Sequence, residues 1–371
     1  MRSRSVHPDV QRLLHEAEKL PQCGARDSLS ERAAALAETL GDLDTAWSSR
    51  CAIIRSSSSH QAPRFETLFL CLAWCLAVSD RDPQRFPATH VLWEYKWAVA
   101  AAVNYSSIPR GALERMLEDM DQRFIRAGWG RRAGFHKKAF VFRELGDSAR
   151  AESLIEPWRT TARDRGSDCQ ACEASAFSDF LISFGQVDSG LREARPIISG
   201  RLKCSTVPHS TFGDLLLPLL QLGRIRDAKD IFERGRRLIA TMEESAATLS
   251  APYMTFAAAS GATEIALGIL NARIREGIEL PSDQDRMNWF LHTALTLEIL
   301  QDRRNLDEDL LPGAVRVLFP EGTIKELSAS FRSRAFDHAA ALNSRNGNRF
   351  QSERMQRLSS EWLRLADTAR K

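Results

Sequence analysis

Apolar and polar positions along this chain alternate with a helical period almost throughout. In the clearest stretch Phe212, Leu215, Leu216 and Leu219 recur three and four residues apart, and Leu222-Gly223-Arg224 interrupts them. A second run then carries Ala228, Phe232 and Arg236-Arg237-Leu238-Ile239. This spacing lines apolar side chains along one face of each of two helices, and the glycine between them predicts a helical hairpin. One hairpin cannot bury its own stripe, so it needs stacked copies.

The copies are present. The pattern Gly-x-x-x-x-Ala recurs from Gly41 to Ala46, Gly146 to Ala151, Gly223 to Ala228 and Gly261 to Ala266; Gly185 to Gly190 keeps the spacing with Gly for Ala. From Gly146 onward the turn glycines stand about 38 residues apart. Glycine ends the first helix in a left-handed conformation, and the small residue five later lets the two helices approach closely.

Other elements follow from the same pattern. Val10, Leu13, Leu14, Ala17 and Leu20 predict a short amphipathic helix stopped by Pro21. Ser28 and Glu31 have capping-box spacing, and the helix after Gly41 is expected to end near Ser56 in a serine loop over 56–59. An apolar helix spans 67–78, and another over 90–104 carries Trp93, Tyr95 and Trp97, expected as core packing between hairpins, with an exposed aromatic that anchors a partner as the alternative. Pro109 is expected in the first turn of a helix that runs through Met116, Met120 and Phe124 to Gly128. Beyond Leu300 the period loosens into a charged connector over 302–309, a break at Leu311-Pro312-Gly313, and two helices over 322–342 and 352–369 joined by a turn at 343–348. Glu353, Arg354, Arg357, Arg364 and Lys371 suit the polar cap that a repeat array needs.

A bulky residue stands four after the small one in Ala228/Phe232, Ala151/Ile155 and Ala266/Leu270. With that addition the pattern resembles tetratricopeptide repeats over roughly residues 25–300. The period exceeds the usual 34 residues of that family and its closing proline is mostly missing, which keeps Sel1-like and HEAT-like hairpins as alternatives. The resemblance implies an all-α, right-handed superhelical solenoid of roughly six to eight antiparallel hairpins. Its parts would be an N-terminal helix over 1–24, the solenoid over 25–300 and a helical C-terminal cap over 301–371. It also implies that the first helix of each hairpin lines a concave groove. Offsets from the turn glycines place that groove at Phe140, Arg143, Asp179, Ile182, Leu217, Gln221, Thr255 and Ala258. The function implied is a non-catalytic scaffold or adaptor that binds a protein or peptide. A ligand- or peptide-responsive regulator is one alternative, although residues 1–60 carry no basic recognition helix, and a zinc- or redox-sensing module built on Cys169, Cys172, Cys204 and His209 is another.

Composition narrows the picture. With 43% hydrophobic and 27% charged residues the chain is globular rather than disordered. A net charge of +3 is too small to argue for nucleic acid. No signal-type segment opens the chain, and no apolar run approaches the roughly 18 residues of a membrane span, so a soluble cytoplasmic protein is expected. Seven cysteines, an odd number in a long chain, point to reduced thiols rather than a disulfide framework.

Candidate chemistry centres on Cys169-x-x-Cys172, Cys204 and His209. The repeat register puts Cys172 and His209 near the starts of consecutive first helices, with Cys169 and Cys204 just upstream. Three thiolates and an imidazole there would form a closed Cys₃His zinc site, a structural staple with no open position. A redox pair and inert buried thiols are the other readings. Cys71 and Cys75, four apart on an apolar helix, are expected in the core. Gly128-Trp129-Gly130-Arg131-Arg132-Ala133-Gly134 with His136-Lys137-Lys138 lacks the strand and the Gly-Lys-Ser/Thr ending of a phosphate loop, and reads as an inter-hairpin loop with a basic patch as the minority reading. No HExxH or Gly-x-Ser-x-Gly occurs, and His60, His90, His292 and His338 have no recurrent acidic or thiol partner in the sequence. Nothing else suggests an enzyme.

Overall fold

The computed structural model describes residues 6–20, 24–58, 65–205, 207–242, 246–302, 311–320, 322–366 and 368–370, and among them every regular element is a helix. Pro21, His60, Lys371 and nearly all of the 302–309 connector lie outside the described residues. No described helix is long and apolar enough to cross a membrane.

The chain divides into two compact units, one of residues 1–103 and 108–167, the other of residues 104–107 and 168–371. The first unit holds α1 (Pro8–Glu18), α2 (Gly24–Thr39), α3 (Leu43–Ser58), α4 (Phe65–Arg81), α5 (Leu92–Ala102), α6 (Arg110–Arg126), α7 (Arg132–Glu144), α8 (Ser148–Ser153) and α9 (Ile155–Thr160). Each of α1 to α4 packs on the next, α5 packs on α3, α4, α6 and α7, and α8 and α9 close on α7. Arg123 of α6 clasps both carboxylate oxygens of Asp80 at 2.8 Å and also reaches Asp119 at 2.8 Å.

The second unit holds α10 (Gln170–Ser183), α11 (Val187–Ile198), α12 (His209–Gln221), α13 (Ile225–Ala240), α14 (Ala246–Ala259), α15 (Thr263–Ile278), α16 (Asp283–Asp302), α17 (Gly313–Leu318), α18 (Ile324–Asn346) and α19 (Phe350–Leu365). Helices α10/α11, α12/α13 and α14/α15 pack in consecutive pairs, and the first helices also touch in series: α10 with α12, α12 with α14, α14 with α16, α16 with α18. Helix α19 lies against α12, α14, α16 and α18. Residues 104–107 are tied in by Ser106 N–H to Asp283 Oδ2 (2.7 Å), Gln284 N–H to the Asn104 carbonyl (3.1 Å) and Arg345 Nη1 to the Tyr105 carbonyl (3.1 Å).

The turn glycines explain the pairs. Gly41, Gly146, Gly185, Gly223 and Gly261 all have φ between 70° and 83°. After each, the next N–H reaches the carbonyl five residues back, as in Asp42 to Ala37 (2.8 Å) and Arg224 to Leu219 (2.8 Å). The glycine N–H meanwhile bonds three back, as in Gly223 to Leu220 (3.0 Å). This is the Schellman arrangement, which satisfies the helix's last carbonyls and requires a left-handed residue at that point. The small residue five later is fully buried at Ala46, Ala151, Ala228 and Ala266.

Local expectations fail in places. Ser28 sits inside α2, which starts at Gly24, rather than at a helix start; α3 runs through Ser56 to Ser58. Pro109 is the N-cap of α6 rather than a first-turn residue. After Gly146 the second helix breaks at Leu154 into α8 and α9. Helix α18 continues to Asn346, so the turn expected over 343–348 is confined to left-handed Gly347 and the residues after it; its start is a Thr323/Glu326 capping box. Trp93 and Trp97 are each 39% exposed rather than core, while Tyr95 between them is buried. Lys96 Nζ stands 3.3 Å from the Trp93 ring centre and Lys137 Nζ 3.7 Å from that of Trp97, both lysines being buried.

Candidate metal centre

Cys169 is the N-cap of α10, in extended backbone, and its sulfur accepts the Cys172 N–H at 3.4 Å. The thiol thus does what a serine or aspartate oxygen does at most helix starts. The three-residue spacing places Cys172 one turn in, on the side that faces back to the cap. Cys204 arrives from the segment after α11, which turns at left-handed Gly200; Leu202 N–H bonds the Pro196 carbonyl (2.9 Å) and Cys204 N–H the Val207 carbonyl (2.8 Å). A hydroxyl pair, Ser175 Oγ and Thr211 Oγ1 at 2.7 Å, joins α10 to α12 close by. The result is that the sulfurs of Cys169, Cys172 and Cys204 all lie within 4.8 Å of one another, the first and last exposed, Cys172 half-buried.

The thiols are electrostatically unequal. Burial pushes the Cys172 thiol up, and the neighbouring Cys169 and Cys204 add to the effect. Burial also opposes ionisation of Cys204, but hydrogen bonds from the Cys169 thiol and the Ser205 backbone outweigh it and hold Cys204 below the ordinary thiol value. Cys204 therefore gives up its proton before Cys172.

Three soft sulfur donors fit zinc or copper(I) and not magnesium or calcium. Tetrahedral zinc with sulfur at about 2.3 Å needs sulfurs about 3.8 Å apart, so the cluster closes with shifts of roughly an ångström or less. His209 does not complete it. It is the first residue of α12, but its ring is buried away from the group of ligand atoms; its Nε2 has no hydrogen-bond partner among the described residues. Burial holds this imidazole below its ordinary value. The register placed the residue on the right turn, yet packing turns the ring inward. Of the expected Cys₃His set, the three thiols stand together and His209 stands apart from them.

The groove positions are scattered. Leu217, Thr255 and Ala258 are buried, so these three do not face solvent. Thr255 Oγ1 meets His292 Nδ1 at 2.8 Å on α16. Arg143 is buried and paired with Glu144 at 2.9 Å, with its guanidinium near the half-buried Phe140 ring. Asp179 and Ile182 are half-buried on α10. Gln221 is exposed and donates to Glu361 of α19 at 2.8 Å. The physical reason is that α12 and α14 each have a first helix on either side and α19 packed against them as well.

The basic run after Gly128 is committed within the first unit. Arg132 donates to the Trp158 (2.8 Å), Arg159 (3.2 Å) and Thr161 carbonyls, closing the C-terminal end of α9, and Lys138 pairs with Asp121 and Glu118. Residues 132–134 belong to α7, so the loop is shorter than the sequence suggests. Cys71 and Cys75 are buried on α4 as expected, joined by Cys51 of α3; burial pushes the Cys71 thiol up to about 11. For Trp93 and Trp97 the partly exposed alternative holds rather than core packing, and their i, i+4 spacing beside Lys96 was the available signal. Comparison of the chain with protein-family models, with characterised proteins and with solved structures returned no match.

Proposed function

We propose that this chain is a non-catalytic helical-repeat protein of tetratricopeptide-like solenoid type that binds a thiophilic metal ion, zinc first, through Cys169, Cys172 and Cys204. One observation carries the reading: three sulfurs from two separate segments lie within 4.8 Å of one another. Bound zinc would supply a Lewis-acidic centre that holds the α10 cap to the loop before α12, with a fourth position open to an outside ligand. An open position suits a sensing or partner-recruiting role better than a closed staple does. Protein purified without a metal-affinity tag should carry about one equivalent of zinc, and Cys169→Ser with Cys204→Ser should lose it. Less than about a tenth of an equivalent in the parent protein, after zinc supplementation, sinks the proposal.

A second reading, a scaffold for a protein or peptide partner, is supported by the exposed Trp93 and Trp97 on α5. Large rigid aromatics of this kind anchor protein interfaces. Trp93→Ala with Trp97→Ala should then abolish co-purification of a partner while the helical circular dichroism survives. Retention of the partner by that variant refutes this surface.

A further inference from the structure

The three thiols also support oxidation chemistry, which shares its location with the proposed metal site. We propose that Cys204 and Cys169 are a peroxide-responsive pair whose disulfide dismantles the metal site. Both sulfurs are exposed and within 4.8 Å, whereas Cys172 between them is half-buried. Both sit where the backbone can give: Cys169 is a helix cap and Cys204 lies in the irregular segment before α12. Closing to the disulfide length of about 2.05 Å therefore moves a cap and a loop rather than a packed helix. Cys51, Cys71 and Cys75 are buried inside helices and provide an internal control.

The chemistry balances. The Cys204 thiolate attacks a hydroperoxide oxygen, the O–O bond breaks, and Cys204 sulfenic acid and hydroxide form. The Cys169 thiol then attacks that sulfur; the S–S bond forms, the S–O bond breaks, and water leaves with the thiol proton. Two electrons pass from the sulfurs to the peroxide. The exposed Cys169 and Cys204 sulfurs already lie within 4.8 Å of each other, so the resolving attack needs only a short approach. The product removes two of three metal donors and leaves Cys172 alone.

The test uses the full chain stripped of metal by a chelator, so its outcome does not depend on whether zinc binds. After stoichiometric hydrogen peroxide, alkylation and non-reducing tryptic mapping, the peptide with Cys169 and Cys172 should be linked to the one with Cys204. No Lys or Arg separates Cys169 from Cys172, so variants assign the bond. Cys172→Ser should keep the link, while Cys169→Ser and Cys204→Ser lose it; Cys51, Cys71 and Cys75 stay alkylated. Zinc-loaded protein treated in the same way should retain at least about tenfold less zinc than the reduced form. Loss of the link in Cys172→Ser, or oxidation of Cys204 to sulfinic acid without any link, overturns the proposal. A link in protein that never binds zinc overturns only the metal reading and the metal-release step that depends on it.

Discussion

At position 190 a methyl group would stand 2.7 Å from the Ser178 carbonyl oxygen and 2.6 Å from Ile182 Cγ1. Alanine serves at the corresponding place in the other pairs, so this pair is packed more closely than the others. Gly190→Ala should lower stability by about 1–3 kcal/mol in urea unfolding. Gly268→Ala, also within a helix but with nothing within 4 Å of the new carbon, should be neutral or raise stability by up to about 1 kcal/mol. Equal effects at the two positions would show that the close approach is not what position 190 contributes. His292 supplies the pH dependence. It is buried, bonded to Thr255, and burial pushes it down to about 4. The unfolded chain, with a histidine near 6.5, binds more protons between those values, so stability is full above about pH 6.5 and falls as pH drops toward 4. The loss attributable to this residue is on the order of 3 kcal/mol by pH 4. Urea unfolding of the parent and His292→Gln across pH 7 to 4 should show a shallower slope in the variant.

Helix α19 is the element whose place was least visible in the sequence. Its hydrophobic face carries Met355, Trp362 and Leu365, all buried, and Trp362 meets the His292 ring of α16 edge-on. Trp362→Ala should cost about 3–5 kcal/mol. Leu363→Ala, at a 44% exposed position on the same helix, should cost under about 0.5 kcal/mol. Both are read by thermal or urea unfolding, and a mild effect at Trp362 would mean that α19 is not integral to the unit. The sequence identified α19 as a helix with a polar side, where Glu353, Arg354, Arg357 and Arg364 stand. It did not reveal that the apolar side lies on α12, α14 and α16, because periodicity records that a helix has a buried face and not which partner covers it.

For the whole molecule, the proposed metal binding would be linked to stability. Zinc at about a hundred times its dissociation constant should stabilise the second unit by roughly 2.7 kcal/mol. Hydrogen exchange should slow at amides of α10 and α12, near the thiols, and leave α4 to α6 of the first unit unchanged. Uniform protection of both units would place the bound metal elsewhere.

The sequence by itself determined the all-helical class, the paired helices and each turn glycine. These depend on local backbone conformation: a left-handed residue is required where the last carbonyls of a helix are closed off, and glycine adopts it at least cost. It also located Cys169, Cys172 and Cys204, because the spacing of two neighbouring first helices put their N-termini near one another. Only the tertiary structure decided that His209 turns inward, that Leu217, Thr255 and Ala258 are interior, and that Trp93 and Trp97 are exposed. Each of those outcomes depends on which helix covers a given face, and that is set by contacts between residues tens to more than a hundred positions apart, as between Gln221 and Glu361. No pattern within a single helix encodes such contacts.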